Sequence, residues 1–218
     1  MNSLFRHNQR GKYLVLLVAI ILFGLSFLFN KRYSNRSSVT QEVKKLERYL
    51  SSRQKDFNSL LQDTGLVNRL LTKSASRTEY DQVTGQPFGF FLYQQQDFSE
   101  ASMLFWSNQL ITPPPELVTG KDGEYFMQLS NGYYYMIRKT LADNRGIACA
   151  MILVRAKFFI QTDYLPEKFA YSSSADKRVL ISRKQTEFPV KTASGITLFY
   201  LDKKASGAVP YNDRLTIL

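Results

Sequence analysis

The chain has 218 residues, with 29 Lys and Arg against 18 Asp and Glu, one His, one Cys and a formal charge of +11. Its length allows one domain with a sizeable core plus a connecting element, but not two large domains. The only histidine, His7, lies in the leading tail, which excludes His-dependent triads, His-metal sites and a phosphoacceptor histidine from the part that folds.

The charge is unevenly placed. Residues 1–12 carry three bases and no acid, residues 31–79 eleven bases and five acids, and residues 80–218 fifteen bases and thirteen acids. The distal region is therefore nearly neutral and lacks the basic patch that nucleic-acid binding requires. The excess adjoins an uncharged run, where it suits the surface of an anionic lipid bilayer.

Residues 13–29 are uncharged and flanked by Arg6, Arg10 and Lys12 before and Lys31, Arg32 and Arg36 after. The run predicts a transmembrane helix, because seventeen residues at about 1.5 Å each nearly match a hydrocarbon core of about 30 Å and flanking cations can snorkel. Ser26, Phe27, Leu28, Phe29 and Asn30 offer bulky side chains where signal cleavage needs small ones, which favours an uncleaved anchor. A short acid-free tail ahead of a large domain predicts residues 1–12 in the cytoplasm and residues 30–218 in the periplasm, with the span in the inner membrane. Cys149, the lone cysteine, excludes an internal disulfide and reads as a small buried hydrophobe.

From Val39 the positions Val43, Leu46, Leu50, Arg53, Phe57, Leu60, Thr64, Val67 and Leu71 follow in alternating steps of four and three, and eight of these ten are apolar. This heptad seam predicts a stalk helix over 30–78, regular to about Lys73, with Gly65 as its weak point. The stripe suits packing on the same domain, and also pairing with a second copy through Val39, Val43, Leu46, Leu50, Phe57 and Leu60. Residues 74–87 are rich in Ser, Thr, Asp, Gly and Pro and end the helical period.

A domain over 79–218 then follows. Residues 87–93 and 103–106 are aromatic runs that read as strands, and Pro113, Pro114 and Pro115 mark a loop. Gly120, Lys121, Asp122 and Gly123 have turn composition. Residues 124–129 lead through Ser130, Asn131 and Gly132 into 133–139, and a second turn at 142–146 leads into 147–154, giving an antiparallel meander. Residues 147–154 are apolar on both faces, the pattern of a central strand. A short helix or turn-rich segment is expected over 158–169, shorter strands over 178–182, 187–190 and 196–201, and at 213–218 a last strand or the start of a second span.

No phosphate-binding glycine loop and no assembled set of catalytic groups is present in the sequence, so no enzymatic activity, cofactor or metal is expected. Recognition remains. Trp106, Tyr133, Tyr134, Tyr135, Arg138, Arg155 and Lys157 lie on or beside the expected central strands, and rings mixed with cations suit a small anionic or polar ligand.

The order of a basic tail, an apolar run, a heptad-bearing helix and an antiparallel domain carries a resemblance. So do the run 103–108, the turn-strand Asn131, Gly132, Tyr133 and Tyr134, and the strand 147–154 continuing through Arg155, Ala156, Lys157, Phe158 and Phe159 to Leu165. Together they resemble the extracytoplasmic sensor region, PAS-like or Cache-like, of membrane-bound bacterial sensor histidine kinases of two-component systems. The resemblance implies an α+β fold: a transmembrane helix continuing into a long stalk helix, then a PAS/Cache-like domain built on a central antiparallel sheet. It implies a homodimer and a role in phosphorelay signal transduction, in which a small ligand or envelope protein shifts the stalk. Kinase activity would belong to residues that this sequence lacks. A single-pass envelope protein with a partner-binding domain and no signalling role fits the same order.

Overall fold

The computed structural model describes the backbone of residues 4–95, 101–142, 146–158 and 167–204, with side chains for all of these except 4–12, 26–37 and 95. Helix α1 spans Leu4–Gln62, α2 Thr64–Leu71 and α3 Arg77–Thr84. Strands β1 (Gly89–Gln95) and β2 (Ala101–Trp106) precede the short helix α4 (Pro115–Val118). Strands β3 (Gly123–Leu129), β4 (Gly132–Thr140) and β5 (Gly146–Ala156) form the meander, with the two-residue β6 (Lys168–Phe169) paired to the end of β5. After a 3₁₀ turn at Ala175–Lys177 come β7 (Val179–Ser182), β8 (Pro189–Lys191) and β9 (Thr197–Lys203).

The main sheet runs β2-β1-β5-β4-β3 and every pairing in it is antiparallel. β5 is central, with Phe91 opposite Cys149 on one side and Tyr135 opposite Ile152 on the other. That position explains its sequence: a strand covered on both faces has no solvent side on which to place polar residues. The turn between β3 and β4 requires Gly132, because a Cβ there would stand 2.5 Å from the carbonyl oxygen of Arg155.

The two faces of this sheet bury different sets. Phe90, Leu92, Tyr133, Tyr135, Ile137, Ala150 and Ile152 face α1, α2 and the second sheet, β7-β9-β8. Phe91, Tyr93, Tyr134, Met136, Cys149 and Met151 pack with Leu117 and Val118 of α4 on the opposite face. Phe126 of β3 stacks on Phe199 of β9 with ring centroids 4.0 Å apart, which joins the two sheets.

The structure corrects the expectation at the N-terminus. Among the described residues no helix is long and apolar enough to cross a membrane, so the transmembrane helix at 13–29 and the inner-membrane, periplasm-facing placement built on it do not stand. The described apolar side chains of α1 over 13–25 are exposed.

The long stalk is corrected as well. From Val39 onward α1 lies on the domain itself: Val39, Val43, Leu46, Leu50, Phe57 and Leu60 are all buried in the core that contains the sheet. The helix also breaks before Gly65. Asp63 leaves helical geometry and accepts a hydrogen bond from the Leu66 N–H at 2.9 Å, capping α2. Polar contacts fix the seat further. Tyr49 donates to the Leu153 carbonyl at 3.2 Å, Gln54 to Glu124 at 2.5 Å, and the Lys191 N–H to Glu47 at 2.9 Å. Glu42, only 2 % exposed, accepts from Lys45 (3.0 Å), Arg178 (2.9 Å) and Tyr171 (2.9 Å), which ties α1 to the segment around the 3₁₀ turn.

Residues 74–87, expected as an irregular boundary, contain α3. Ser76 and Glu79 form a capping box, in which the Ser76 N–H donates to Glu79 at 2.7 Å and the Glu79 N–H donates back to Ser76 Oγ at 3.3 Å. The expected segment at 158–169 falls mostly outside the described residues, apart from β6 at its end, and 213–218 lies wholly outside them.

Candidate functional site

The residues expected to bind a ligand do not converge. Tyr133 and Tyr135 face α1 while Tyr134 faces α4, because neighbours on a strand alternate. Tyr133 stacks with Phe126 at a centroid distance of 5.9 Å, and the Tyr134 hydroxyl donates to Asn131 Oδ1 at 3.0 Å. Arg138 is buried and structural: it donates to the Val118 carbonyl at 2.9 Å and to Thr140 at 3.1 Å, and forms an ion pair with Asp122. Arg155 pairs with Asp176 (2.8 Å) and Glu167 (3.0 Å). The Lys157 N–H donates to the Asn131 carbonyl at 3.0 Å, so its backbone closes the β3–β4 turn. Trp106 stands apart on edge strand β2, 47 % exposed.

A different place combines space with mixed chemistry. Where α1 ends and α2 begins, beside the end of β4, a cleft of about 740 Å³ opens. The last turns of α1 supply Asn58, Leu61 and Gln62, α2 supplies Thr64, Val67, Asn68 and Leu71, and Lys139, Thr140 and Leu141 close the third side. Leu61, Val67, Leu71 and Leu141 give it an apolar part and six polar side chains the rest, a more polar lining than most small-molecule seats have.

Local structure explains why these groups meet. The seam places Asn58 and Leu61 beside Phe57 and Leu60, which anchor the last turns of α1 in the core. The break at Asp63 ends α1 and starts α2, and residues on both sides of it line the cleft. At the end of β4 the Thr140 N–H and hydroxyl both donate to Asp122, at 2.9 Å each, while the Leu141 N–H donates to the Gly146 carbonyl at 2.8 Å. Burial pushes the Asp122 carboxyl up, but the Thr140 hydrogen bonds and the Arg138 charge outweigh it and hold the carboxyl below its ordinary value. A carboxylate that stays ionised therefore clamps both neighbours of Lys139, whose ammonium donates to Asn58 Oδ1 at 2.8 Å.

Sequence reasoning missed this site because none of its residue types is unusual. The available signals were Asp63-x-x-Leu66 as a helix start and Asp122 in a turn opposite a strand end. The cleft itself depends on how two helix ends and a strand end meet, which no local pattern specifies. A second, shallower depression between α1 and β8, lined by Lys44, Glu47, Arg48 and Lys191, is open to solvent. Among the described residues no group of His, Cys, Asp and Glu could hold a metal ion. Comparison with protein-family models, with curated proteins and with solved structures finds no match.

Proposed function

We propose that this chain is a ligand-responsive sensory domain, similar in role to the input half of a two-component sensor histidine kinase. The occupant of the α1–α2 cleft alters how α1 sits on the sheet. The observation that carries this reading is that one rigid element serves both ends of the event. The last turns of α1 wall the cleft, and the same helix is seated on the core from Val39 to Leu60. A ligand that fits the cleft better in one seat of α1 than in another shifts the population between them by its differential affinity.

The test screens the protein against a small-metabolite library by melting temperature and follows hits by amide hydrogen exchange. A hit that raises the melting temperature and changes protection in residues 38–62 supports the proposal; hits that leave those residues unchanged overturn it, as does a library without hits.

A second reading, a partner-binding domain with no signalling role, is favoured by β2. This edge strand carries no charge over 101–106 and exposes Met103 and Trp106, with Leu110 81 % exposed nearby. Uncharged, apolar strand edges favour pairing with another chain. A proteome pull-down that loses its specific partner on Trp106→Ala, with melting temperature unchanged, would favour it.

A further inference from the structure

We infer that the α1–α2 cleft selects small amphiphilic monoanions, an acidic head on a short aliphatic body, with Lys139 as the counter-ion. This rests on the reading of the cleft as a ligand seat and adds the chemical class of the ligand.

The argument starts from how the cations of this domain are satisfied. Lys45, Arg53, Arg69, Arg138, Arg155 and Arg178 each have a carboxylate within ion-pair distance. Other described cations, such as Lys44, Lys55 and Lys168, also show no carboxylate partner among the described residues but are exposed; Lys139 is half-buried in the cleft, where the neutral amide of Asn58 orients it. An amide fixes the ammonium without neutralising it, and two of its three N–H donors remain for an occupant.

The surroundings sharpen the preference. No acid is present among the described lining residues of the cleft. Asp63, between the lining residues Gln62 and Thr64, is engaged in capping α2, and Asp143, which follows the lining residue Ala142, lies outside the described residues. Lys139 is half-buried, so its charge is less screened than at the open surface. Leu61, Val67, Leu71 and Leu141 form the apolar part, and Asn68 and Gln62 add amides at the rim. A carboxylate head at Lys139 with an alkyl body along the leucines satisfies both halves. A cationic ligand would meet an unneutralised like charge, and a neutral one would leave the ammonium partly desolvated without compensation.

The experiment titrates the full chain with hexanoate, hexanamide and hexylammonium and follows amide chemical shifts of Gly65 and Leu141, which lie in the cleft. Hexanoate should move both and bind about tenfold more tightly than hexanamide, the difference expected for one charge-assisted hydrogen bond. In Lys139→Gln, which can still hydrogen-bond Asn58, the preference should fall to less than about twofold, while Lys139→Arg should keep it. Melting curves establish that each variant is folded. Equal or tighter binding of hexanamide or hexylammonium at the same two amides overturns the anion preference and leaves the ligand seat standing. If none of the three probes moves those amides, both the preference and the seat are refuted.

Discussion

Replacing Phe57 by Ala separates a helix that belongs to the folded core from one that stands free of it. Phe57 is fully buried, and its ring packs edge-on against Phe88 (centroids 6.4 Å apart, interplanar angle 88°) and Phe90 (5.9 Å, 61°). Truncating a buried Phe to Ala costs about 3–5 kcal/mol through lost transfer energy and the cavity left behind, a range that includes the lost edge-to-face contacts. At about 2–4 °C per kcal/mol for a chain of this size, melting should fall by roughly 6–20 °C. In a free-standing helix the sign would reverse, because Ala is a better helix former than Phe by a few tenths of a kcal/mol. Urea unfolding followed by far-UV circular dichroism gives the free energy directly. As a control, Leu16→Ala, at an exposed position of the same helix, should stay within about 0.5 kcal/mol of the parent. A Phe57→Ala loss below about 1 kcal/mol would refute the packing described for α1.

Three further outcomes follow from the buried polar groups. Arg138→Met should cost about 2 kcal/mol in urea unfolding, since it leaves the Val118 carbonyl unpaired while the half-exposed Asp122 can rehydrate. A cost near zero would mean that the guanidinium is not part of the fold's stability. Burial pushes the Glu42 carboxyl up, but hydrogen bonds from Lys45 and Tyr171 and the Arg178 and Lys45 charges prevail and hold it below its ordinary value of 4.5. A depressed carboxylate contributes stability above its unfolded value and loses it as pH falls through the folded one, so unfolding free energy should decline on acidification below about pH 5. Glu42→Gln should flatten that decline, and an unchanged pH profile would contradict the network. Burial pushes the Cys149 thiol up to about 12, with Arg138 opposing the shift and Asp122 adding to it, so a disulfide reagent at pH 8 should react in urea and not with the native protein. Rapid native labelling would show that β5 opens.

The sequence by itself determined the elements of the sheet. Alternating aromatic and apolar runs set β1 to β5 close to their observed bounds, because strand period and turn chemistry are local. Residues 147–154 announced a central strand for the same reason: a segment with no polar face needs cover on both sides. The seam from Val39 to Leu71 was legible as an apolar stripe, but not its division between two helices, α1 as far as Leu60 and α2 from Thr64. Its cover was not legible either, since a stripe that fits a second copy also fits a sheet. Tertiary structure put that sheet, and Phe88 and Phe90 with it, against Phe57. It also split Tyr133, Tyr134 and Tyr135 between opposite faces and gave Arg138 to Asp122 and Val118, so an expected recognition cluster became two packing surfaces and a structural ion pair. The helix at 77–84 was hidden because its breaker-rich composition outweighed one capping box. The cleft at Lys139 arises from a break at Asp63 and a strand end that meet only after the chain has folded, and contacts between residues 81 positions apart leave no periodic trace in the sequence.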